Sequence, residues 1–245
     1  MFAAGGDTKA LFDRYYWSKA DFRNGTEQFH ALCARNFASG GPLLEIGAGP
    51  SNATSDYLAT LGALTGLDVS DEVRGNRALT EARVFDGGVF PFADASFSGC
   101  VSNYVLEHVE DPGAHFREVA RVLRPGGTYL FRTPNRWHYV AVASRMLPHF
   151  VHVRAANRLR KLSDDAHEPW KTFYRANGGG SLRRLARGAG LEVGELRVIE
   201  PEPSYGAAHA ALFYPMMAYE RTVNSTAALE GLRANFLGVF CKPSR

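Results

Sequence analysis

Along residues 43–134 the apolar positions fall into short runs separated by segments of helical spacing. Four runs end near positions 46, 68, 86 and 103, and the run TYLFRT follows Gly127. One helix is predicted from about Asn52 to Leu61. Another begins at Asp111-Pro112, where a capping aspartate precedes a proline in the first turn. Strands that alternate with helices predict an α/β fold with a mostly parallel sheet covered on both faces.

The regular alternation ends after Thr133. A stretch rich in arginine and aromatic side chains precedes the helix SLRRLARGAG and the strand LEVGELRVIE, and a second irregular stretch leads to a last strand, NFLGVFCK. We predict a single domain over residues 1–245, with an N-terminal helical lid at 1–40 and cap insertions at 134–180 and 203–232. Both insertions follow strands, on the side where open α/β sheets bind ligands.

The amino-acid composition indicates the class of protein and the redox compartment. The 245 residues are 45% hydrophobic and 22% charged, as in an ordinary globular protein, and the three cysteines include no CxxC pair, which favours a reducing compartment. The N-terminus lacks a basic segment followed by an apolar run, and no window approaches the length of a membrane span. A soluble, cytoplasmic protein is therefore expected.

The turn after the first strand carries an acid and two glycines, Glu45-x-Gly47-x-Gly49. A dinucleotide fingerprint needs a third glycine, and Asn52 stands in its place. Glycines allow close backbone approach, and the start of the next helix favours a carboxylate, whereas Glu45 suits an ammonium group. A ligand with both groups is an amino acid rather than a pyrophosphate.

Two further acidic residues are placed to bind other parts of such a ligand. Asp68, 21 residues after Gly47, is placed to accept hydrogen bonds from a ribose, and Asp86, at the end of the third strand, could accept from an adenine amino group. Amino acid, ribose and adenine together describe S-adenosylmethionine. The hypothesis from these residues is that this molecule binds at the carboxyl ends of the first three strands.

The chain also resembles the class I S-adenosylmethionine-dependent methyltransferases, in particular the small-molecule branch with the ubiquinone and menaquinone biosynthesis enzymes. The motifs that carry the resemblance are LLEIGAGPS, GLDVS, VFDGGVFPFADASF, SNYVLEHVEDP and RVLRPGGTYLFRTPN. The resemblance implies a Rossmann-like, seven-stranded sheet with an antiparallel last strand, and S-adenosylhomocysteine as product. The residues expected to bind the cofactor are Glu45, Gly47, Ala48, Gly49, Asn52, Asp68, Val69, Asp86, Gly87 and Asn103.

Methyl transfer depends more on alignment than on proton transfer. Alignment can lower the barrier by roughly 7–11 kcal/mol, whereas a positioned base adds about 10²–10⁴-fold in rate. His108 is the first candidate base, with a histidine bonded only to backbone as the alternative. His167 and Tyr174 in the segment HEPWKTFYR are further candidates, and a surface cap that merely packs on the sheet is the alternative there.

The expected acceptor is a small, anionic metabolite that is methylated at oxygen. Positions 132–187 contain twelve Lys or Arg residues but only three Asp or Glu, so this segment is strongly basic. Arg175 within it is a candidate to bind an anionic group of the acceptor. His149-x-x-His152 has no third ligand nearby, so no metal is predicted. The candidate substrate-binding residues are Tyr16, Tyr104, His138, Trp170 and Arg175.

Three other functions stay open. Arginines interleaved with aromatic residues could stack on nucleic-acid bases, but neither an [DNS]-P-P-[YFW] motif nor a Pro-Cys nucleophile is present, so nucleic acid is disfavoured. The segment WHYVAVASRMLPHF has an apolar helical face that could contact a membrane surface and a lipid acceptor. A protein that binds the cofactor without catalysis is the remaining alternative. The oligomeric state does not follow from the sequence.

Overall fold

A computed structural model of the protein describes residues 6–146 and 170–244. The chain forms two compact units. We call Thr26–Pro134, Thr172–Arg197 and Asn235–Arg245 the sheet unit, and we call Met1–Gly25, Asn135–Lys171 and Val198–Ala234 the second unit. Each unit is therefore built from segments that are distant in sequence.

A seven-stranded sheet has the order β3-β2-β1-β4-β5-β7-β6. The first five strands pair in parallel, and β7 pairs antiparallel with β5, which confirms the predicted Rossmann-like fold with an antiparallel last strand. The strands are β1 (Leu43–Ile46), β2 (Leu64–Asp68), β3 (Glu81–Val84), β4 (Phe97–Asn103), β5 (Leu123–Pro134), β6 (Glu192–Ile199) and β7 (Asn235–Cys241).

Four helices and two 3-10 turns belong to the sheet unit. The predicted start of one helix is confirmed, because Asp111 Oδ1 accepts from Ala114 N at 2.9 Å and Pro112 lies in the first turn. The helices are α2 (Gly25–Phe37), α3 (Ala53–Ala59), α4 (Pro112–Val122) and α6 (Gly179–Gly188), and the turns are Asp71–Gly75 and Leu106–His108.

Aromatic side chains fill the core between α4 and the strands β5 and β7. The ring of Phe116 lies 5.7 Å from Tyr129 and 6.1 Å from Phe240, and Phe131 lies 5.0 Å from Phe240. All four side chains are fully buried. Burial of this much aromatic surface fixes β5 and β7 against α4, and it thereby sets where the carboxyl end of β5 lies.

Among its described residues the second unit contains three α-helices, α1 (Gly6–Phe12), α5 (Tyr139–Met146) and α7 (Ala210–Asn224). Its core joins Phe12, Tyr16 and Ala207 to Phe213. The sequence pattern indicated an irregular stretch where α7 lies, and Pro215 inside this helix is a residue that disfavours helical structure. Tertiary packing of Phe213 and Val223, both buried, overrides that local signal. None of the helices among the described residues is long and apolar enough to cross a membrane.

Candidate cofactor-binding site

Glu45 is a buried carboxylate with an unsatisfied oxygen. It lies in β1, its residue is 3% exposed, and Oε2 has no hydrogen-bond partner among the described residues. Burial, together with the negative charges of Asp68 and Asp56, raises its pKa to about 7, against the lowering effect of the Ser55 hydroxyl. A cationic ligand group would satisfy this oxygen and restore the ionised form.

The glycine turn that follows β1 has the backbone that its sequence predicts. Gly47 has φ +71°, and a Cβ there would lie 2.3 Å from Val105 Cγ2. Gly49 has φ +56°, and a Cβ there would meet no atom within 4 Å. Only glycine adopts such conformations without strain, and the space beside Gly49 lets a ligand approach the backbone.

Asp68, the last residue of β2, is bonded to this turn. Its Oδ2 accepts from Gly49 N at 2.9 Å and its Oδ1 accepts from Ser70 N at 2.8 Å. The carboxylate is half-buried and retains acceptor capacity, since each oxygen has more than one lone-pair position. Asp68 therefore shapes the turn and is still able to accept hydrogen bonds from ribose hydroxyls.

Two asparagines hold the loop over residues 48–50. Asn52 caps α3 by accepting from Thr54 N and Ser55 N, and its Nδ2 donates to Ala48 O at 2.9 Å. Asn76, from the turn after β2, is buried, and its Nδ2 lies 2.9 Å from Ser55 Oγ and 3.3 Å from Gly49 O. Sequence reasoning missed Asn76, because no motif marks a side chain that returns to the loop from outside the strand-turn-helix unit.

The predicted adenine end is an open surface. Asp86 is exposed, and its Oδ1 accepts from Gly88 N at 2.9 Å. Val69 is 45% exposed, and a Cβ at Gly87 would lie 3.8 Å from its Cγ1. Val69 and Gly87 thus lie side by side, with an exposed apolar surface on which a flat base could pack.

Asn103, at the end of β4, is already engaged through its side chain. Its Oδ1 accepts from Arg132 Nε at 2.7 Å, and its Nδ2 donates to Thr54 Oγ1 at 3.2 Å. Tyr104 follows with φ +58°, and its ring lies 4.5 Å from the guanidinium carbon of Arg132. The predicted cofactor residue Asn103 and the predicted substrate residue Tyr104 therefore share one buried arginine, to which the sequence analysis gave no role.

The segment 172–177 contacts the turn Leu106–His108 within the sheet unit. Glu107 O accepts from Phe173 N at 2.7 Å and from Tyr174 N at 3.2 Å, and Arg175 Nη1 donates to Glu110 O. The structure therefore places the candidate bases His108 and Tyr174 on two adjoining segments. Arg175 is exposed and follows Tyr174 in the chain.

Glu107 itself is buried beneath these segments. Thr133 Oγ1 donates to its Oε2 at 3.1 Å, and Asn177 Nδ2 donates to Thr133 Oγ1 at 2.7 Å. Burial raises the pKa of Glu107 to about 7, while the Thr133 hydroxyl and the charge of Arg132 lower it. These buried hydrogen bonds join the turn Leu106–His108 to the end of β5.

The remaining predicted residues lie elsewhere. Tyr16, His138 and Trp170 belong to the second unit, whereas the predicted cofactor residues lie in the sheet unit. Tyr16 OH donates to Glu220 Oε2 at 2.7 Å, and His138 Nε2 lies 3.3 Å from Glu200 Oε2, with both groups buried. Trp170 is 60% exposed. His167 and the pair His149 and His152 fall outside the described residues. Among the side chains that the structure does describe, no group of His, Cys, Asp or Glu could hold a metal ion.

Comparison with known proteins identifies the strand-turn-helix region. Residues 44–131 match a family model described as a methyltransferase domain. Residues 44–131 therefore form a methyltransferase domain. This range holds every residue predicted to bind the cofactor, from Glu45 to Asn103. S-adenosylmethionine is the cofactor of this domain class.

Two curated relatives are similar in sequence to part of this chain. It is 34% identical over 112 residues to a malonyl-[acyl-carrier protein] O-methyltransferase of Erwinia billingiae, with 42% of this chain and 45% of that protein covered. It is 29% identical over 171 residues to a ubiquinone biosynthesis O-methyltransferase of Aromatoleum aromaticum, with 64% of this chain and 67% of that protein covered. The chain spans about half the length, or less, of the first curated relatives that it matches.

The fold is shared more widely than the sequence. The crystal structure of the [4+2]-cyclase SpnF matches with a TM-score of 0.57 at 18% identity, over 94% of this chain and 87% of that one. That protein is named for a cyclisation, so the fold by itself does not specify methyl transfer.

The side chains of the methyltransferase site fit S-adenosylmethionine at both ends. The buried Glu45 Oε2, without a partner among the described residues, suits the ammonium group of the methionine part. The space beside Gly49 admits a ligand to the backbone. Asp68 ends β2 and Asp86 lies two residues after the adjacent strand β3, as acceptors for ribose and adenine. These residues would hold the cofactor at the carboxyl ends of β1, β2 and β3.

Proposed function

We propose that the protein transfers a methyl group from S-adenosylmethionine to an oxygen of a small, anionic acceptor. The observation that carries the proposal is the buried Glu45 carboxylate beside the glycine turn, with an oxygen that no described residue satisfies. A structural acid would have a partner, because an unsatisfied buried acceptor destabilises the fold by about 1–3 kcal/mol. A binding role explains why this one is retained.

When bound, S-adenosylmethionine supplies an electrophilic methyl group on a sulfonium. The chain's contribution is alignment, since Glu45, Asp68 and Asp86 fix three parts of one ligand. An acceptor oxygen then needs only to be held in line with the methyl group. A carboxylate or phenolate acceptor needs no base, and for a hydroxyl acceptor His108 and Tyr174 stay the proposed bases.

Two observations support an oxygen acceptor that carries negative charge. The two curated relatives described above are both named O-methyltransferases, and one name contains a malonyl group, which bears a carboxylate. Within the sheet unit, Arg175 is an exposed cation on the segment that contacts the turn Leu106–His108. The roles of Tyr104, Arg175 and the two candidate bases toward the acceptor are part of this proposal, as are those of Tyr16, His138 and Trp170.

The first experiment measures transfer of label from methyl-labelled S-adenosylmethionine into a cell extract that is then separated into lipid, small polar, protein and nucleic-acid fractions. We expect label in the small polar fraction, lost with Asp68→Ala and retained with Asp71→Ala. Asp71 is a matched control because its carboxylate pairs with Arg74 on an exposed turn. Label in nucleic acid or lipid instead would contradict the acceptor class and leave the cofactor assignment standing.

Binding separates a missing acceptor from a wrong cofactor. Calorimetry with S-adenosylhomocysteine should show one site per chain, weakened at least tenfold by Asp68→Ala. If the protein binds S-adenosylhomocysteine and labels no fraction, catalysis is contradicted and a cofactor-binding role remains. Absence of binding would reject the proposed function as a whole.

A further inference from the structure

Arg132 is a buried cation near the carboxyl end of β5. It is 5% exposed, and its two hydrogen-bond acceptors are uncharged: Asn103 Oδ1 at 2.7 Å from Nε and Thr26 Oγ1 at 3.2 Å from Nη1. Within the described part of the chain no carboxylate forms an ion pair with it. A buried charge normally has a counter-ion, because removal of an isolated charge from water is costly.

Two aromatic rings lie beside the guanidinium of Arg132. Its guanidinium carbon lies 4.5 Å from the Tyr104 ring and 5.3 Å from the Phe29 ring, so aromatic side chains cover the cation. The hydrogen bonds to Asn103 and Thr26 use two of the five N–H donors of the guanidinium. A planar guanidinium of this kind is suited to bind a carboxylate through two parallel hydrogen bonds. Tyr104 is 40% exposed, so the cluster reaches the surface of the sheet unit.

Arg132 and Glu45 lie on the same face of the sheet. Glu45 is in register with Val101 on β4, and Val101 with Leu130 on β5; two residues further along, Asn103 is in register with Arg132. Residues two apart on a strand point to the same face, so both charged side chains do so too. Their strands are separated only by β4, which places the backbones roughly 10 Å apart across the sheet.

Helix α2 covers both charges. Thr26 and Phe29 of α2 contact Arg132, and the thiol of Cys33, also in α2, feels the charges of both Glu45 and Arg132. A carboxyl group and a cation, neither of which forms a direct ion pair among the described residues, therefore lie under one helix on one face of the sheet. Glu107 is the acid whose charge acts on Arg132, but it is engaged by Thr133. A ligand with an anionic group near the guanidinium would supply Arg132 with an ion pair.

We propose that Arg132 is the carboxylate-binding residue of this site, through a bidentate contact from its guanidinium edge. The carboxylate has two possible sources, the methionine end of the cofactor or the acceptor itself. The inference rests on the proposed function for the identity of the ligands, but the anion site can be tested without either. Arg132 also positions Asn103 and Tyr104, so its loss should affect both.

The test compares Arg132→Met and Arg132→Lys with the unmodified protein by calorimetry, using three probes. S-adenosylhomocysteine carries the methionine carboxylate, 5′-methylthioadenosine lacks the amino-acid end, and malonate is a simple carboxylate titrated onto the free protein and onto each nucleoside complex. Arg124→Met is the matched control, because Arg124 lies at the start of the same strand and its side chain donates to Ala95 O on the exposed surface.

If the cofactor is the source, Arg132→Met weakens S-adenosylhomocysteine at least tenfold and leaves 5′-methylthioadenosine within threefold, which also shows that the variant is folded. Malonate then binds the 5′-methylthioadenosine complex and is excluded from the S-adenosylhomocysteine complex. If the acceptor is the source, malonate binds both complexes, and Arg132→Met weakens malonate tenfold with both nucleosides unchanged. Arg132→Lys should recover part of the affinity in either case.

The inference is overturned if Arg132→Met changes the affinity for S-adenosylhomocysteine and for malonate by no more than Arg124→Met does. Failure of the proposed function has a different signature. In that case neither nucleoside binds the unmodified protein, while malonate binding to the free protein still reports on Arg132. A malonate site that survives Arg132→Met would place the anion elsewhere and would equally reject the assignment.

Discussion

Gly49 N donates a 2.9 Å hydrogen bond to Asp68 Oδ2, so the glycine turn after β1 is held by the acid at the end of β2. Asp68 also accepts from Ser70 N through its other oxygen. The residue expected to bind ribose is thus part of the structure that shapes the turn. Its substitution should therefore affect folding and binding together.

Asp68→Ala should lower the free energy of unfolding by about 1–2 kcal/mol, because two backbone N–H groups lose their acceptor. Asp68→Asn keeps one oxygen and should cost less. Urea denaturation measures both variants. The control Asp71→Ala should change stability by less than about 0.5 kcal/mol, since its pair with Arg74 is exposed. Equal effects for Asp68→Ala and Asp71→Ala would show that the turn does not depend on Asp68.

The two glycines of the turn should respond differently to alanine. Gly47→Ala combines a left-handed backbone with a Cβ 2.3 Å from Val105, so a loss of roughly 3 kcal/mol in unfolding free energy is expected. Gly49→Ala has the backbone strain alone, about 1 kcal/mol, because no atom lies within 4 Å of its Cβ. That open space is where the ligand is expected, so Gly49→Ala should weaken S-adenosylhomocysteine more than it weakens the fold. Unchanged affinity in a folded Gly49→Ala variant would place the ligand elsewhere.

Stability should fall as pH rises through the acid-to-neutral range. Burial raises the pKa of Glu45 to about 7 from an ordinary value of 4.5, so between these values the folded protein holds a proton that the unfolded chain has released. The free energy of unfolding should decrease from about pH 4.5 to 7 and level off above it. Glu107, also raised to about 7, contributes in the same direction. Glu45→Gln should therefore remove only part of the slope, which denaturation at several pH values would show.

Ligand binding should reverse the protonation of Glu45. An ammonium group beside Oε2 favours the carboxylate, so S-adenosylhomocysteine should release protons on binding below pH 7, and its affinity should rise as pH approaches 7. Calorimetry in two buffers of different ionisation enthalpy measures the release. 5′-Methylthioadenosine lacks the ammonium and should show none. Equal proton release for the two ligands would argue against contact between Glu45 and the amino-acid end.

In the second unit, Tyr16→Phe should destabilise the fold. Tyr16 OH donates to the buried Glu220 Oε2 at 2.7 Å, and without this donor one oxygen of the carboxylate loses its partner. A loss of about 1–3 kcal/mol in unfolding free energy is expected. Glu220→Gln in the Tyr16→Phe background should recover part of it, because a neutral side chain is less costly to bury. Tyr15→Phe on the same turn is the control, and an equal loss there would mean that ring packing, not the hydrogen bond, is being measured.

The sequence predicted the strand-turn-helix-strand unit around Glu45 better than the contacts around the end of β5. Glu45, Gly47 and Asp68 are local features of a strand-turn-helix-strand unit, so their order along the chain determines their positions. The cap at Asp111 is a local pattern of the same kind, whereas the antiparallel β7 was expected from the family resemblance. Residue roles that depend on one backbone segment can be inferred from one segment of sequence.

Roles that depend on distant segments could not be inferred. Asn76 holds the glycine loop from 26 or more residues away, and Arg132 joins β5 to both α2 and β4. No period or spacing records such contacts. Helix α7 was missed because Pro215 interrupts its pattern, although the buried Phe213 anchors it. The candidates Tyr16 and His138 were chosen for residue type, and in the structure each lies beside a buried glutamate.

Asn177 joins the two ends of the chain segment that lies between β5 and residue 172. Its Nδ2 donates to Pro134 O at 2.9 Å and to Thr133 Oγ1 at 2.7 Å, so the point where the chain leaves β5 and the point where it returns are fastened together inside the sheet unit. For a chain segment whose two ends are already held together, doubling its length costs only about 0.6 kcal/mol of closure entropy. An insertion between positions 134 and 172 should therefore cost the sheet little stability, so related or designed proteins can differ in length there while the strands stay the same.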